Sequence, residues 1–263
     1  MQPTYEVLAF RYATMQGRTQ RENFIFPDDH AAPMPLDYFV FAIRNSERTI
    51  VVDTGFDQAS AQRRGRALLC SPKEILAQAG IDAARVEDVI LTHLHWDHAG
   101  GLDFFPNAVF HLQDSEISFA TGRCMCFTKL RMPFDVEHVV GTVRALYADR
   151  IRFHDGAEPI APGITLHLIG GHSGGIQVVR VPTKRGWVVL AGDTAHFWAN
   201  IRNRNPFPIV VDVGRMMRGY ETLEHLADGP DHIIPGHDPL ILKRFPACEG
   251  NTEIVRLDAA PVT

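Results

Sequence analysis

The chain has 263 residues, of which 45% are hydrophobic and 22% are charged, and its formal net charge at pH 7 is -5. This length and apolar fraction suit one domain, residues 1–263, with a sizeable core. The negative charge argues against a nucleic-acid partner, which needs a basic surface. No apolar run approaches the roughly 20 residues of a membrane span, and the first residues lack the pattern of a secretory signal. We therefore expect a cytoplasmic protein without a membrane partner.

The first third of the chain contains several predicted strands and one helix. Apolar patterns indicate strands at residues 5–12, 38–43 and 50–52, the last of which runs directly into Asp53. Residues 72–79 are predicted to be helical, because Ser71 is a favourable N-cap and a proline suits the first helical position.

The most distinctive segment follows a predicted strand at residues 89–91 and precedes the small-residue turn 99–101. Imidazoles and carboxylates are ligands that suit zinc and its first-row neighbours, and a tight loop at a strand end aims them at one point. This loop therefore predicts half of a two-metal site. Its candidate ligands are His93, His95, Asp97 and His98.

Three further candidate ligands each come just after a later predicted strand. They are His172 after residues 164–168, Asp193 after 187–191, and His237 after 233–236. Any one of them could be an ordinary turn residue, but together they repeat one design, a ligand beyond the carboxyl end of a strand. The remaining pattern predicts a hairpin of residues 177–181 and 187–191, and helices at 113–120 and 213–227.

Two stretches, residues 24–35 and 121–133, show no regular pattern but contain apolar side chains. Such residues either pack the loops themselves or form an apolar wall over the metals, since ligand sites are usually apolar clefts. Both interpretations stay open at this point.

The complete series of candidate ligands resembles the metallo-β-lactamase superfamily, in which the motif H-x-H-x-D-H is followed by His, Asp and His. Asp53 looks like the earlier Asp motif of that superfamily, so the resemblance spans about residues 38–239. It implies an α+β fold, an αββα sandwich in a single domain. It also implies that one metal takes His93, His95 and His172, that a second takes Asp97, His98 and His237, and that Asp193 bridges them.

The cofactors implied are two divalent ions, Zn²⁺ before Mn, Fe or Co. Two such ions about 3.5–4 Å apart share a water whose pKa is lowered toward about 7, so the expected nucleophile is a bridging hydroxide. The second ion polarises a carbonyl, and Asp97 orients the water or carries a proton. This chemistry suits hydrolysis of a small-molecule lactone, ester, thioester or amide.

Within the superfamily the chain is most similar to the N-acyl-homoserine lactonases, compact dizinc enzymes that open a lactone ring and quench quorum sensing. That family has a Tyr three residues beyond the bridging Asp, where this sequence has His196. An imidazole can also donate a hydrogen bond and move a proton, so His196 is expected to be catalytic, unless it caps or packs beside the following helix. The spacing from His98 to His172 is longer than in the family, which indicates a substrate-side insertion at residues 121–138.

We therefore expect a lactonase, with acyl-homoserine lactones among its candidate substrates. An esterase or thioesterase that uses the same site is the alternative enzyme. In the non-catalytic alternative, the metals only stabilise the fold or the domain binds a small ligand as a sensor. The sequence leaves the oligomeric state open, a homodimer included.

Overall fold

The computed structural model describes residues 3–26 and 32–262, so part of the irregular stretch at residues 24–35 lies outside the described residues. Two β-sheets lie face to face and helices cover their outer faces. This is the single-domain α+β fold, an αββα sandwich, that the sequence predicted. Among the described residues, no helix is long and apolar enough to cross a membrane.

The strands are β1 Glu6–Met15, β2 Leu36–Arg44, β3 Thr49–Val52, β4 Ala67–Leu68, β5 Asp88–Ile90, β6 Val109–Gln113, β7 Ile151–His154, β8 Ala157–Ala161, β9 Ile164–Leu168, β10 Gln177–Thr183, β11 Gly186–Gly192, β12 Ile233–Pro235, β13 Ala247–Cys248 and β14 Asn251–Arg256. The α-helices are α1 Gln58–Arg64, α2 Pro72–Gln78, α3 Asp114–Thr121, α4 Thr128–Arg131, α5 Val136–Tyr147, α6 Trp198–Arg202, α7 Val213–Leu226 and α8 Leu240–Arg244.

The larger sheet has the order β13-β14-β1-β2-β3-β5-β6-β7, with β4 also paired to β1, and the smaller sheet has the order β12-β11-β10-β9-β8. The neighbours β3 and β5 are parallel, with Val51 opposite Val89, and so are β11 and β12, with Val189 opposite Ile233. Parallel neighbours bring the segments that follow them to the same edge of a sheet. The candidate ligands follow β5, β11 and β12, except His172, which follows β9.

Strand β2 shows how the layers are held together. Its side chains alternate between faces, as in any strand. Phe39, Phe41 and Ile43 pack in the core between the two sheets, whereas Tyr38 and Val40 pack in the core between the larger sheet and its helices. Burial on both faces explains why this strand has a continuous apolar pattern.

The predicted elements are confirmed, and their ends differ from the prediction by at most three residues. Helix α2 begins at Pro72 under a capping box formed by Ser71 and Glu74, as the N-cap pattern indicated. The hairpin of β10 and β11 is also present. The sequence pattern missed the hairpin of β13 and β14, which extends the larger sheet by pairing with β1.

The stretch at residues 121–133 was expected to be irregular, and this expectation was wrong in part. It contains a 3₁₀ turn at Arg123–Cys126 and the short helix α4, and α5 follows from Val136. Segments of one helical turn carry too little periodicity to be recognised from sequence.

We expect the replacement of Leu166, a buried residue of β9 in the core between the sheets, by alanine to lower the free energy of unfolding by about 2–5 kcal/mol. The change removes apolar contacts and leaves a cavity between two sheets that cannot collapse onto it. Urea denaturation measures the loss. Tyr147→Ala, at a side chain that is 87% exposed, is the control and should change the stability by less than about 0.5 kcal/mol. Equal effects of the two changes would contradict this view of the core.

Candidate metal centre

The candidate ligands lie beyond the carboxyl ends of strands in both sheets. In the larger sheet Asp53 follows β3 and residues 93–98 follow β5; in the smaller sheet Asp193 follows β11 and His237 follows β12. The backbone itself joins the last two segments, because the amide of His237 donates to the carbonyl of His196 at 3.0 Å. The face-to-face packing of the sheets then brings the two edges together.

The structure brings all seven predicted ligands and His196 into one cluster. Ligand atoms lie within 4.8 Å of one another in three overlapping groups: His93, His95, His172 and Asp193; Asp97, His98 and His237; and Asp193, His196 and His237. The first two groups have the composition that the family resemblance implies for two metals.

Asp193 spans the two groups with its two carboxylate oxygens. Its Oδ2 lies 3.2 Å from Nε2 of His172 and 3.8 Å from Nε2 of His93. Its Oδ1 lies 2.9 Å from Nε2 of His237 and 3.3 Å from Nε2 of His98. One carboxylate therefore faces both halves of the cluster, as a bridging ligand does.

Hydrogen bonds to groups outside the cluster orient three of its histidines. In each of them Nδ1–H donates to an oxygen outside the cluster, and the Nε2 lone pair is left pointing inward. The pairs are His98 with the carboxylate of Asp53 at 2.7 Å, His172 with the carbonyl of Ile209 at 2.8 Å, and His237 with the carbonyl of Asp37 at 2.8 Å. Such outer hydrogen bonds are typical of metal-binding histidines.

Unpaired polar atoms inside the cluster test whether a metal fits. Nε2 of His93, Nε2 of His98 and Oδ1 of Asp193 are buried and form no hydrogen bond with any described residue. A buried polar atom without a partner costs about 1–3 kcal/mol, which coordination to a cation would offset. Nitrogen and carboxylate donors at this spacing suit a first-row divalent ion. The residues present therefore fit the metals that the family implies.

The pKa shifts of these groups also favour a bound cation. Burial and the neighbouring imidazoles lower the pKa of His93 and His95 well below the ordinary value, which keeps both rings in the neutral form that binds metal. Burial opposes ionisation of Asp193, but the surrounding histidines outweigh it and hold the pKa of this carboxyl well below its usual range. Burial also opposes a charge on His98 and His237, but the nearby carboxylates outweigh burial and raise the pKa of both imidazoles. A cation that binds there therefore displaces protons from these two rings.

His196 faces the cluster. Its Nε2 lies 3.2 Å from Oδ2 of Asp193, and its ring stacks on Phe207 with centroids 3.7 Å apart and an angle of 6° between the planes. It does not cap helix α6, whose N-cap is Phe197. Burial lowers the pKa of His196 to about 3, so the imidazole is neutral at pH 7.

Asp53 supports the loop of residues 93–98 from β3. Its carboxylate accepts hydrogen bonds from the backbone and the hydroxyl of Thr92 as well as from His98. Its backbone adopts a left-handed φ of 62°, which is uncommon outside glycine and often marks functional sites.

Glu116 was missed by the sequence analysis. This fully buried carboxylate on α3 accepts hydrogen bonds from the amide of Leu94 at 2.9 Å, the hydroxyl of Ser173 at 2.7 Å and the amide of Gly175 at 2.7 Å. It thus ties the loop of His93 and His95 to the loop of His172. The approach is so close that a Cβ at Gly175 would lie 2.3 Å from the Glu116 amide. A glutamate in the first turn of a helix is common, so no local signal marked it.

Residues 121–138 reach the cluster through Phe134. The ring of Phe134 packs edge-on against His95 with centroids 4.6 Å apart, and the carbonyl of Pro133 accepts the amide of Trp96 at 2.9 Å. The side chains of Phe127 and Met132, in the same segment, are 60% and 50% exposed. The segment therefore lies beside the ligand loop and carries apolar side chains on its surface.

Comparison with known proteins agrees with this geometry. The profile of the metallo-beta-lactamase superfamily matches residues 34–237. The chain belongs to this superfamily. Similar curated proteins include a "probable metallo-hydrolase" of Mycobacterium tuberculosis (strain ATCC 25618 / H37Rv), 25% identical over 229 residues that cover 77% of this chain and 72% of that protein. Another is the N-acyl homoserine lactonase AiiA of Bacillus thuringiensis subsp. kurstaki, 25% identical over 187 residues that cover 65% and 69%.

Solved structures share the fold at lower identity. A quorum-quenching N-acyl homoserine lactone lactonase superposes with a TM-score of 0.74 at 21% identity, covering 91% of this chain and 95% of that one. The dizinc quorum-quenching lactonase AidC, in complex with a product, superposes with a TM-score of 0.67 at 17% identity, covering 91% and 89%. The chain is accordingly a metallo-hydrolase of this superfamily.

Replacing Asp53 by asparagine should weaken metal retention about 10–100-fold, because the carboxylate that orients His98 is lost. Competition against a chelator, followed by elemental analysis, measures the change. Asp155→Asn, at an exposed carboxylate away from the cluster, is the matched control and should retain metal as the unmodified protein does. Unchanged retention in Asp53→Asn would show that His98 needs no such support.

Proposed function

We propose that this metallo-hydrolase holds two divalent ions, most readily Zn²⁺, and opens a lactone ring with water. The observation that carries the proposal is the position of Asp193, whose two oxygens face two separate groups of candidate ligands. A structural zinc site is usually closed by four protein ligands, whereas here seven candidates are shared between two groups.

Two ions held by these residues would supply a water activated at neutral pH and a positive charge for the carbonyl of the substrate. The protein's own residues supply position and proton transfer. We assign His93, His95 and His172 to one ion and Asp97, His98 and His237 to the other, with Asp193 shared. Asp97 is the one among these seven that is partly exposed, at 12% of its side chain, so it is the group best placed to take or give a proton at the substrate.

We assign His196 the role of holding the carbonyl or leaving oxygen of the substrate. Its ring is neutral and is fixed in orientation by the stack on Phe207. A neutral imidazole donates one hydrogen bond, as the tyrosine of the lactonase family does at this place in the sequence. The lactonase reaction would then use an imidazole, in place of a phenol, as the hydrogen-bond donor to the substrate.

The choice of a lactone is supported by the relatives, among which N-acyl homoserine lactonases recur. We further propose that residues 121–138 are a substrate-side insertion, because Phe134 lies against His95 and exposed apolar side chains continue outward from it. Such a wall suits a ring or chain with an apolar part. An ester or a thioester would bind at the same site. The experiment below distinguishes lactones, esters and thioesters as substrates.

Purified protein of known metal content should be assayed with a panel of lactones, nitrophenyl esters and thioesters. We expect about two metal ions per chain and a higher kcat/KM for lactones, with activity abolished by chelation and restored by zinc, manganese or cobalt. Asp193→Ala should lose metal and activity together, whereas Asp155→Ala should lose neither. Full activity after removal of the metal, or inactivity of the loaded protein on the whole panel, would contradict the proposal.

His196→Ala should lower kcat about 10²–10³-fold with the metal content unchanged, which is the usual cost of removing one donor to a transition state. His196→Tyr should recover part of the rate. Steady-state kinetics and elemental analysis on the best substrate check both variants, and His225→Ala, at an exposed histidine on α7, is the control. A near-normal kcat in metal-loaded His196→Ala would remove this residue from the mechanism.

A further inference from the structure

Two arginines lie beside the candidate metal centre on the side of Trp96. The guanidinium carbons of Arg64 and Arg66 are 5.2 and 5.7 Å from the ring centroid of Trp96, which lies between two candidate ligands in the sequence. Nε of Arg66 also donates to the hydroxyl of Tyr38 at 2.5 Å, and the Tyr38 ring packs edge-on against His237 with centroids 5.2 Å apart. Arg66 is therefore separated from His237 by a single aromatic ring, that of Tyr38.

A third arginine lies beside the ring of Phe207. The guanidinium carbon of Arg18 is 5.3 Å from the ring centroid of Phe207, the ring on which His196 stacks. The side chain is partly buried and is held by neutral acceptors, namely the side-chain oxygen of Asn23 at 2.8 Å and the carbonyl of Glu22 at 2.5 Å. Its orientation is thus fixed without a carboxylate.

Arg18 and Arg66 lie behind two neighbouring rings of the cluster. The ring centroids of His196 and His237 are 5.0 Å apart, Phe207 stacks on His196, and Tyr38 packs edge-on against His237. Arg18, over Phe207, and Arg66, on the Tyr38 hydroxyl, are therefore each one aromatic ring away from adjacent histidines.

The chain has a net charge of -5, yet these arginines have no acidic partner among the residues that the structure describes. Within residues 3–26 and 32–262, none of Arg18, Arg64 and Arg66 has a carboxylate oxygen within 4.0 Å. Arg11, on the neighbouring strand β1, pairs with both Asp37 and Glu253. A positive region at a cleft attracts anions, and two bound divalent ions would add to its charge.

We propose that the substrate carries a carboxylate on the part that does not react, and that Arg18 and Arg66 bind this group beside the metal centre while Arg64 adds positive charge. The inference rests on the proposed function, since it names the class of lactone or ester that the site accepts. A guanidinium group is planar and matches a carboxylate with two parallel hydrogen bonds, which gives specificity as well as affinity. The aromatic rings between the arginines and the ligands would cover the apolar part of such a molecule.

A matched pair of substrates tests the inference. The probes are 5-oxotetrahydrofuran-2-carboxylate, a γ-lactone with a carboxylate on its ring, and the corresponding primary carboxamide, which has nearly the same shape without the charge. We expect kcat/KM of the metal-loaded protein to be at least about 10-fold higher for the carboxylate, and the difference to shrink at high salt. A ratio near one would overturn the inference, although opening of both rings would leave the proposed function standing.

Variants assign the preference to particular residues. Arg18→Gln and Arg66→Gln should each lower the carboxylate-to-carboxamide ratio of kcat/KM about 10-fold, mainly by raising KM for the carboxylate, with the metal content of the unmodified protein. Arg66→Lys should recover part of the ratio, because it keeps the charge but loses the planar fork. Arg21→Gln, at an exposed arginine near Arg18, is the control and should leave the ratio as it is. An unchanged ratio in both glutamine variants would show that these arginines only pack on aromatic rings.

A binding measurement tests the inference separately from catalysis. If neither ring is opened, the proposed function is contradicted, but binding of the ring-opened products still decides the inference. The ring-opened products are 2-hydroxyglutarate, with a second carboxylate, and its carboxamide counterpart, with one. Calorimetric titration of the metal-loaded protein should give a Kd at least about 10-fold lower for 2-hydroxyglutarate, and Arg66→Gln should abolish the difference. Equal affinities in the unmodified protein would overturn the inference.

Discussion

The rest of the site depends on one buried carboxylate, that of Asp193. Taking an ionised carboxyl out of water costs several kcal/mol unless opposite charges and hydrogen-bond donors surround it. Here imidazoles approach each of its oxygens from a different side, and the strands β11 and β12 hold it in place from the smaller sheet. The surrounding imidazoles thus keep this buried carboxylate ionised, in the form that can bind a metal.

A second layer of hydrogen bonds keeps the ligands in position. Asp53 orients His98 from β3, and Glu116 joins the loop after β5 to the loop that carries His172. These supports come from the larger sheet and its helices, whereas Asp193 comes from the smaller sheet. The centre therefore exists only when the sandwich has closed, which couples metal binding to folding.

The surroundings of the centre differ in charge from the molecule as a whole. The chain is acidic, yet three arginines with neutral partners stand around the aromatic rings that flank the ligands. Arginine often stacks on aromatic rings for packing alone, but positive charge beside a cluster of candidate ligands also favours an anionic molecule there, as we propose. Specificity in this superfamily member is thus expected to come from side chains on β2, α1 and the loops rather than from the metal ligands.

The order and type of the candidate ligands could be inferred from the sequence, because chelate spacing and strand-end position are local properties of the chain. The same holds for helix α2 with its cap and for the hairpin of β10 and β11, whose patterns repeat over a few residues. The αββα architecture was implied by the resemblance of the ligand series to a known superfamily. Glu116, Phe207 and the arginines Arg18 and Arg66 could not be found in this way. Their roles follow from contacts between residues far apart in the chain, and such contacts are decided only when the two sheets pack and bring separate loops to one edge.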